Sequence, residues 1–242
     1  MGYGLEAVHA ELTALLKDVA RVLEDNHLPY SVMCGTLLGA VRHGGFIPWD
    51  DDVDLALPRE SYDRFEALYP AQCAPGFTLD LTDTWVPRVR RQGGDAFIDL
   101  FVLDPLPEGK FRRAWKLLRL RALQGMLKEK TDYSRFRPAQ RLLLRGTRLL
   151  GHPFPRAAKL RAYRRVARGG GPSRFTHMSD GAFNLLSMAL PADVLDNPVS
   201  APFEELSVRV PRDAHAMLVR LYGETYGTPP PESERRPLHL DR

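Results

Sequence analysis

Cysteine is scarce in this chain of 242 residues, with Cys34 and Cys73 the only two. Two cysteines so spaced exclude a disulfide framework and a cysteine-ligated metal. Both read as reduced, partly buried thiols of a cytosolic protein. Long apolar runs are also lacking: none reaches the roughly 18 residues that a membrane-spanning helix needs. Glu6, Glu11, Lys17 and Asp18 interrupt the N-terminal stretch, which argues against a signal peptide. Internal repeats and low-complexity tracts are absent. With 44% hydrophobic and 26% charged residues, wholesale disorder is excluded too. Acidic residues run short in one segment. Residues 110–168 hold 19 Lys or Arg against Glu129 and Asp132, a net +17 in a protein whose total is only +4. Such asymmetry points to an anionic partner for that segment.

What is present reads as a mixed α/β (α+β) fold. Leu5, Val8, Leu12, Leu15, Leu16, Val19, Val22 and Leu23 recur at helical spacing, predicting a helix over 5–26. Residues 30–34 form a short strand, Gly35-Thr36 a turn, and 37–41 a short helix broken at His43-Gly44-Gly45. Alternation of Val53, Leu55 and Leu57 with Asp52, Asp54 and Ala56 predicts a strand. A helix over 61–69 and strands over 77–81, 85–90 and 96–103 follow. From Lys110 the chain turns helical and basic, with a stripe of Trp115, Leu118, Ala122 and Met126 and a second run over 142–150. A glycine hinge at 169–172 leads to a strand over 203–210 and a helix capped by Asp213. The Pro- and charge-rich tail from 229 should wrap the surface. The expected organisation is a catalytic core over 1–108, a basic helical insertion over 109–170, and a C-terminal part over 171–242 that packs back on the core.

Trp49-Asp50-Asp51-Asp52-Val53-Asp54 carries the chemistry. Four carboxylates within five residues repel one another, and the apolar strand beside them makes their desolvation costly. A divalent cation removes both penalties. Asp52 and Asp54 share one face of a strand, about 6–7 Å apart at the backbone, so their tips can converge on an ion. Hard oxygen ligands suit Mg²⁺ or Mn²⁺, which keep positions open for substrate phosphates. Asp99 lies within Ala96-Phe97-Ile98-Asp99-Leu100-Phe101-Val102-Leu103, apolar on both faces. It is either a third metal ligand from a neighbouring strand or an ion-pair partner of Arg88, Arg90 or Arg91. Gly35-Thr36, at a strand-to-helix turn, offers amides and a hydroxyl to a donor phosphate. Arg42 and His43 either hold phosphate oxygens or the leaving group, or serve as a solvated arginine and a packing histidine.

The run GTLLGAVRHGGFIPWDDDVD over 35–54 closely resembles the signature of the LicD family, within the nucleotidyltransferase superfamily and related to the fukutin-type transferases. Further matches are Phe97-Ile98-Asp99-Leu100-Phe101, Phe203-Glu204 and Val210-Pro211. Leu221-Tyr222-Gly223, Tyr226-Gly227, Pro229-Pro230 and His239 complete them. The resemblance implies a nucleotidyltransferase-like mixed sheet flanked by helices. It implies metal-dependent transfer of a phospho-alcohol such as phosphocholine from a CDP-linked donor to a glycan or lipid-linked hydroxyl. Gly35 and Thr36 would then bind donor phosphate, and Asp52, Asp54 and Asp99 the metal, with Asp99 also the base. Transfer of a nucleotide from an NTP is the alternative, because the same carboxylates would serve it. Nucleic acid is not expected as a partner, since the basic segment has few aromatics spaced for stacking. That segment docks either on an anionic membrane leaflet, making the protein peripheral at the inner face, or on a soluble anionic acceptor.

Overall fold

A computed structural model of the chain describes residues 3–82, 84–128 and 138–239, without the side chains of 138–140, 143, 144 and 183. The chain divides into two compact units. One comprises Met1–Asp80, Pro87–Phe101 and Asp193–Arg242, and the other Leu81–Val86 and Val102–Ala192.

In the first unit, helix α1 (Glu6–Asp25) buries Leu12, Leu15, Leu16, Val19, Val22 and Leu23 completely. Each such leucine or valine contributes about 1.5–3 kcal/mol by leaving water. Strand β1 (Ser31–Val32) pairs antiparallel with β2 (Val53–Pro58), Val32 opposite Leu55. Between them lies α2 (Cys34–His43), and after them α3 (Arg59–Gln72). Strands β3 (Phe77–Asp80), β4 (Arg88–Arg91) and residues 97–101 of β5 (Phe97–Pro105) complete a sheet of order β1-β2-β5-β4-β3. Arg88 of β4 stands directly opposite Asp99 of β5. The C-terminal part supplies a hairpin of β8 (Val199–Phe203) and β9 (Leu206–Val210) and the helix α8 (Ala214–Tyr222). Asp213 caps α8 as expected, its carboxylate accepting from the Ala216 amide at 2.9 Å.

The second unit is where the basic helices fall: α4 (Lys110–Leu127), α5 (Pro138–Gly151) and α6 (Arg156–Arg168). Residues 102–105 of β5 pair antiparallel with β6 (Phe175–Met178), which pairs in turn with β7 (Leu190–Pro191); α7 (Phe183–Ser187) lies between these two strands in sequence. Its core joins Leu117, Leu120 and Leu127 to Leu106, Tyr163, Val166 and Leu186. Two polar side chains lock α4 in rotation. The buried Lys116 ammonium donates to the carbonyls of Pro105, Ala167 and Gly169 at 2.5–2.7 Å, satisfying acceptors at and beyond the end of α6. Gln124 donates to Tyr163 Oη at 3.0 Å and to the Gly181 carbonyl at 2.9 Å.

Several sequence expectations are corrected. Gly35 and Thr36 do not form a turn before a helix; α2 begins at Cys34, so both lie in its first turn. The strand expected over 85–90 starts only at Arg88, because Pro87 has no N–H to give a ladder. A single strand over 203–210 is instead a hairpin turning at Glu204, whose φ of 52° is left-handed. Of the expected stripe on α4, Trp115 and Leu118 face water, while Ala122 and Met126 are half-buried.

Candidate active site

The site grows out of α2, β2 and the loop joining them. Gly44, with φ 67°, ends α2 in the left-handed conformation that glycine adopts without strain. Gly39 lets the returning loop lie against the helix, since a Cβ there would stand 2.4 Å from the Gly45 carbonyl oxygen. Glu204, at the hairpin tip, accepts from the Phe46 amide at 2.9 Å, and its own amide donates to the Gly44 carbonyl at 2.8 Å. His9 stacks on Phe46 at 4.3 Å, with Nε2 2.8 Å from the Asp50 carbonyl. The loop is thus pinned from three sides before it delivers Asp50–Asp54.

Asp52, Asp54 and Asp99 come together, each offering a carboxylate oxygen within 4.8 Å of the others. Burial, and then Asp52, Asp99 and Asp50, push Asp54 well above the usual carboxylate range, opposed by the Gly35 amide. Burial, then Asp52 and Asp51, push Asp50 up to about 7. Asp99 is raised by burial but pulled back by Arg88, whose Nε and Nη2 donate to its two oxygens at 2.6 and 3.2 Å. Arg88 in turn lies over the Phe97 ring, 3.8 Å from the centroid. Asp99 therefore lies in the carboxylate cluster and also makes the expected ion pair with Arg88. Three hard oxygens held close, with like-charge crowding that a cation would relieve, fit Mg²⁺ or Mn²⁺.

The remaining expected residues take other places. The Thr36 hydroxyl, buried, accepts from the Asp54 amide at 2.8 Å and ties α2 to the start of β2. A Cβ on Gly35 would stand 2.5 Å from Asp50 Oδ2, so only glycine lets that carboxylate lie against α2. Arg42 donates to His43 Nε2 at 2.9 Å and to the Tyr226 carbonyl at 3.3 Å. Burial lowers both pKa values, with Arg235 repelling Arg42 and Arg42 repelling His43. His43 faces a 640 Å³ cleft shared with Trp49, Glu204 and Arg235 rather than the carboxylates.

Two participants went unassigned in the sequence. The tail does not simply cover surface: the Leu238 and His239 amides donate to the buried Asp51 carboxylate at 3.1 and 2.7 Å. His239 Nε2 reaches Asp52 Oδ2 at 2.9 Å, and that bond raises the imidazole pKa. Asp51, Asp52 and His239 form a second group of converging ligand atoms. Tyr222, at the end of α8, is 45% exposed as a residue, yet its pKa is pushed up by desolvation of the hydroxyl, then by Cys34, Asp54, Asp50 and Asp52. Both fall in the C-terminal motifs of the family resemblance, but separation by more than a hundred residues hides their place beside the carboxylates from any local pattern.

Residues 27–101 match the family model described as LicD/FKTN/FKRP, nucleotidyltransferase domain. The matched span holds every carboxylate of the cluster but not His239. Among similar proteins is the lipopolysaccharide cholinephosphotransferase LicD of Haemophilus influenzae, 29% identical over 97 residues that cover 33% of this chain and 37% of that protein. An uncharacterized protein of Rickettsia typhi is 34% identical over 91 residues, covering 38% and 28%. The ribitol 5-phosphate transferase FKRP of Homo sapiens is 44% identical over 61 residues, covering 24% and 12%. The chain thus spans about a third of the length of the first curated relatives it matches.

Proposed function

We propose that this chain, whose residues 27–101 match the LicD/FKTN/FKRP nucleotidyltransferase-domain model, transfers a phospho-alcohol group from a CDP-linked donor to a hydroxyl of a glycan or lipid-linked acceptor. The observation that carries the reading is the convergence of Asp52, Asp54 and Asp99 within residues 27–101, the span that matches the family model, in a chain similar to a cholinephosphotransferase and a ribitol 5-phosphate transferase. These three carboxylates would hold Mg²⁺ or Mn²⁺. Such an ion supplies charge neutralisation at the phosphoryl oxygens and orients the group in transfer.

The chain's own groups do the positioning. Thr36 Oγ1 and the Gly35 amide fix Asp54 from the first turn of α2, leaving the other free amides of that turn to favour a donor phosphate. Arg88 holds both oxygens of Asp99, which suits a fixed ligand better than a proton acceptor. His239 Nε2, hydrogen-bonded to Asp52, is the imidazole placed to take or return a proton at the cluster. In-line attack by the acceptor oxygen on the phosphorus forms the new phosphoester and breaks the bond to the leaving CMP.

Incubating the protein with Mg²⁺ or Mn²⁺ and CDP-choline, CDP-ethanolamine, CDP-glycerol and CDP-ribitol in turn, with mass spectrometry of products, tests the assignment. Release of CMP from one donor is expected, and its loss in Asp52→Asn. Pyrophosphate release from an NTP instead would make the protein a nucleotidyltransferase.

A further inference from the structure

In the second unit, α4 turns a large apolar surface toward water. Phe111 is 93% exposed, Trp115 61% and Leu118 51%. At about 100° per residue these three fall within an arc of roughly 60° on the helix. Arg112 and Arg119 border the arc on one side and Arg121 on the other. The opposite face is committed to the core through Leu117, Leu120, Leu127 and the Lys116 and Gln124 hydrogen bonds. The exposure is therefore a consequence of how α4 is locked, and rotation cannot hide it. Leu142, Leu149 and Leu150 of α5 and Phe154 after it are exposed as well. So much exposed apolar surface in one unit marks an interaction site.

Beside the stripe opens a cleft of 370 Å³, lined in part by Arg112, Trp115, Arg119 and Arg165. Among the described residues, none of these arginines nor Arg121 has a carboxylate or other hydrogen-bond partner. The cleft presents guanidinium forks beside an indole, a setting for a phosphodiester with an apolar group attached.

We propose that this face of the second unit, the Phe111–Trp115–Leu118 stripe with the Arg112, Arg119 and Arg165 cleft, docks on a bilayer of anionic phospholipid. Charge complementarity and apolar exposure together select that occupant. A net +17 over 110–168 calls for a dense negative surface, and exposed Trp, Phe and Leu call for an apolar layer a few ångströms behind it. Free phosphate or a nucleic acid meets the first demand and leaves the second unmet. A bilayer meets both, with lipid phosphates in the cleft and the stripe at the acyl boundary.

Co-sedimentation of the full chain with vesicles tests this, using phosphatidylcholine alone and phosphatidylcholine mixed with phosphatidylglycerol at roughly two to one. The expected result is binding to the mixed vesicles at least about tenfold tighter, weakening as salt rises. Trp115→Ser with Leu118→Ser should cost at least about tenfold in binding. Arg112→Gln with Arg119→Gln and Arg165→Gln, at about fivefold per charge, should cost on the order of a hundredfold, on anionic vesicles only. All five positions lie at the surface, and thermal melting checks that the variants fold. In the unaltered protein, brominated lipid should quench tryptophan fluorescence. No sedimentation at low salt, or unchanged binding of the Trp115 and Leu118 variant together with no quenching, would overturn the proposal. So would tighter binding to duplex DNA than to the mixed vesicles.

Discussion

Asp99 and Arg88 face each other across β5 and β4, joined by two hydrogen bonds, while the same carboxylate points into the Asp52–Asp54 cluster. Two demands act on one side chain. Burial raises its pKa more than Arg88 lowers it, so ionised Asp99 is held at a cost that a cation would offset. Asp99→Asn should consequently leave unfolding stability within about 1 kcal/mol, the lost ion pair balancing the relieved desolvation. The same change should lower turnover on the order of a thousandfold, about 4 kcal/mol of transition-state stabilisation. Denaturant melts beside steady-state rates would check both. A clear loss of stability with turnover retained would make Asp99 structural. At this scale the sequence was readable where chemistry is dense: a run of aspartates next to an apolar strand, and a lone carboxylate within another. His239 was legible only as part of the family's ending, and its role was unreadable because its partners Asp51 and Asp52 lie almost two hundred residues away.

Among the elements, α2 and the loop after it do most to position the site. The loop folds back so closely that Gly39 and the Gly45 carbonyl meet without room for a methyl group. Gly39→Ala should therefore destabilise the fold by about 1–3 kcal/mol, as overpacking does, although alanine is the better helix former. Because the obstruction is backbone, the loop must yield, and Asp50–Asp54 with it. Turnover should fall further than the stability loss alone accounts for, measured by assay at a temperature where the variant is fully folded. An unchanged melting temperature would show that the loop is free to move. Helix α1, strand β2 and the Asp213 cap were all legible from periodicity and capping chemistry. Strand β1 lies inside the short strand expected over 30–34, whereas β6 and β7, at four and two residues, carry no period to detect and exist because neighbours supply their hydrogen bonds. The start of α2 was misjudged because Cys34, at φ 49°, enters the helix from a left-handed conformation that no propensity scale anticipates for cysteine.

For the molecule as a whole, charge separates two kinds of work. Carboxylates converge in the first unit, and arginines spread over the exposed surface of the second. That division was visible in composition, since 110–168 holds only two acidic residues. Which way the α4 stripe faces was not, because a helical stripe is equally consistent with core and surface. Lys116 and Gln124 decided it by burying the other side. No described helix is long and apolar enough to cross a membrane. The carboxylate cluster bears most directly on function, and calorimetric titration of Mn²⁺ into the protein and into its Asp52→Asn, Asp54→Asn variant tests it. Binding to the unaltered protein is expected, weakened at least about a hundredfold in the variant, in which two of three hard ligands are neutralised. Equal binding by both proteins, or none by either, would contradict a metal site at Asp52, Asp54 and Asp99.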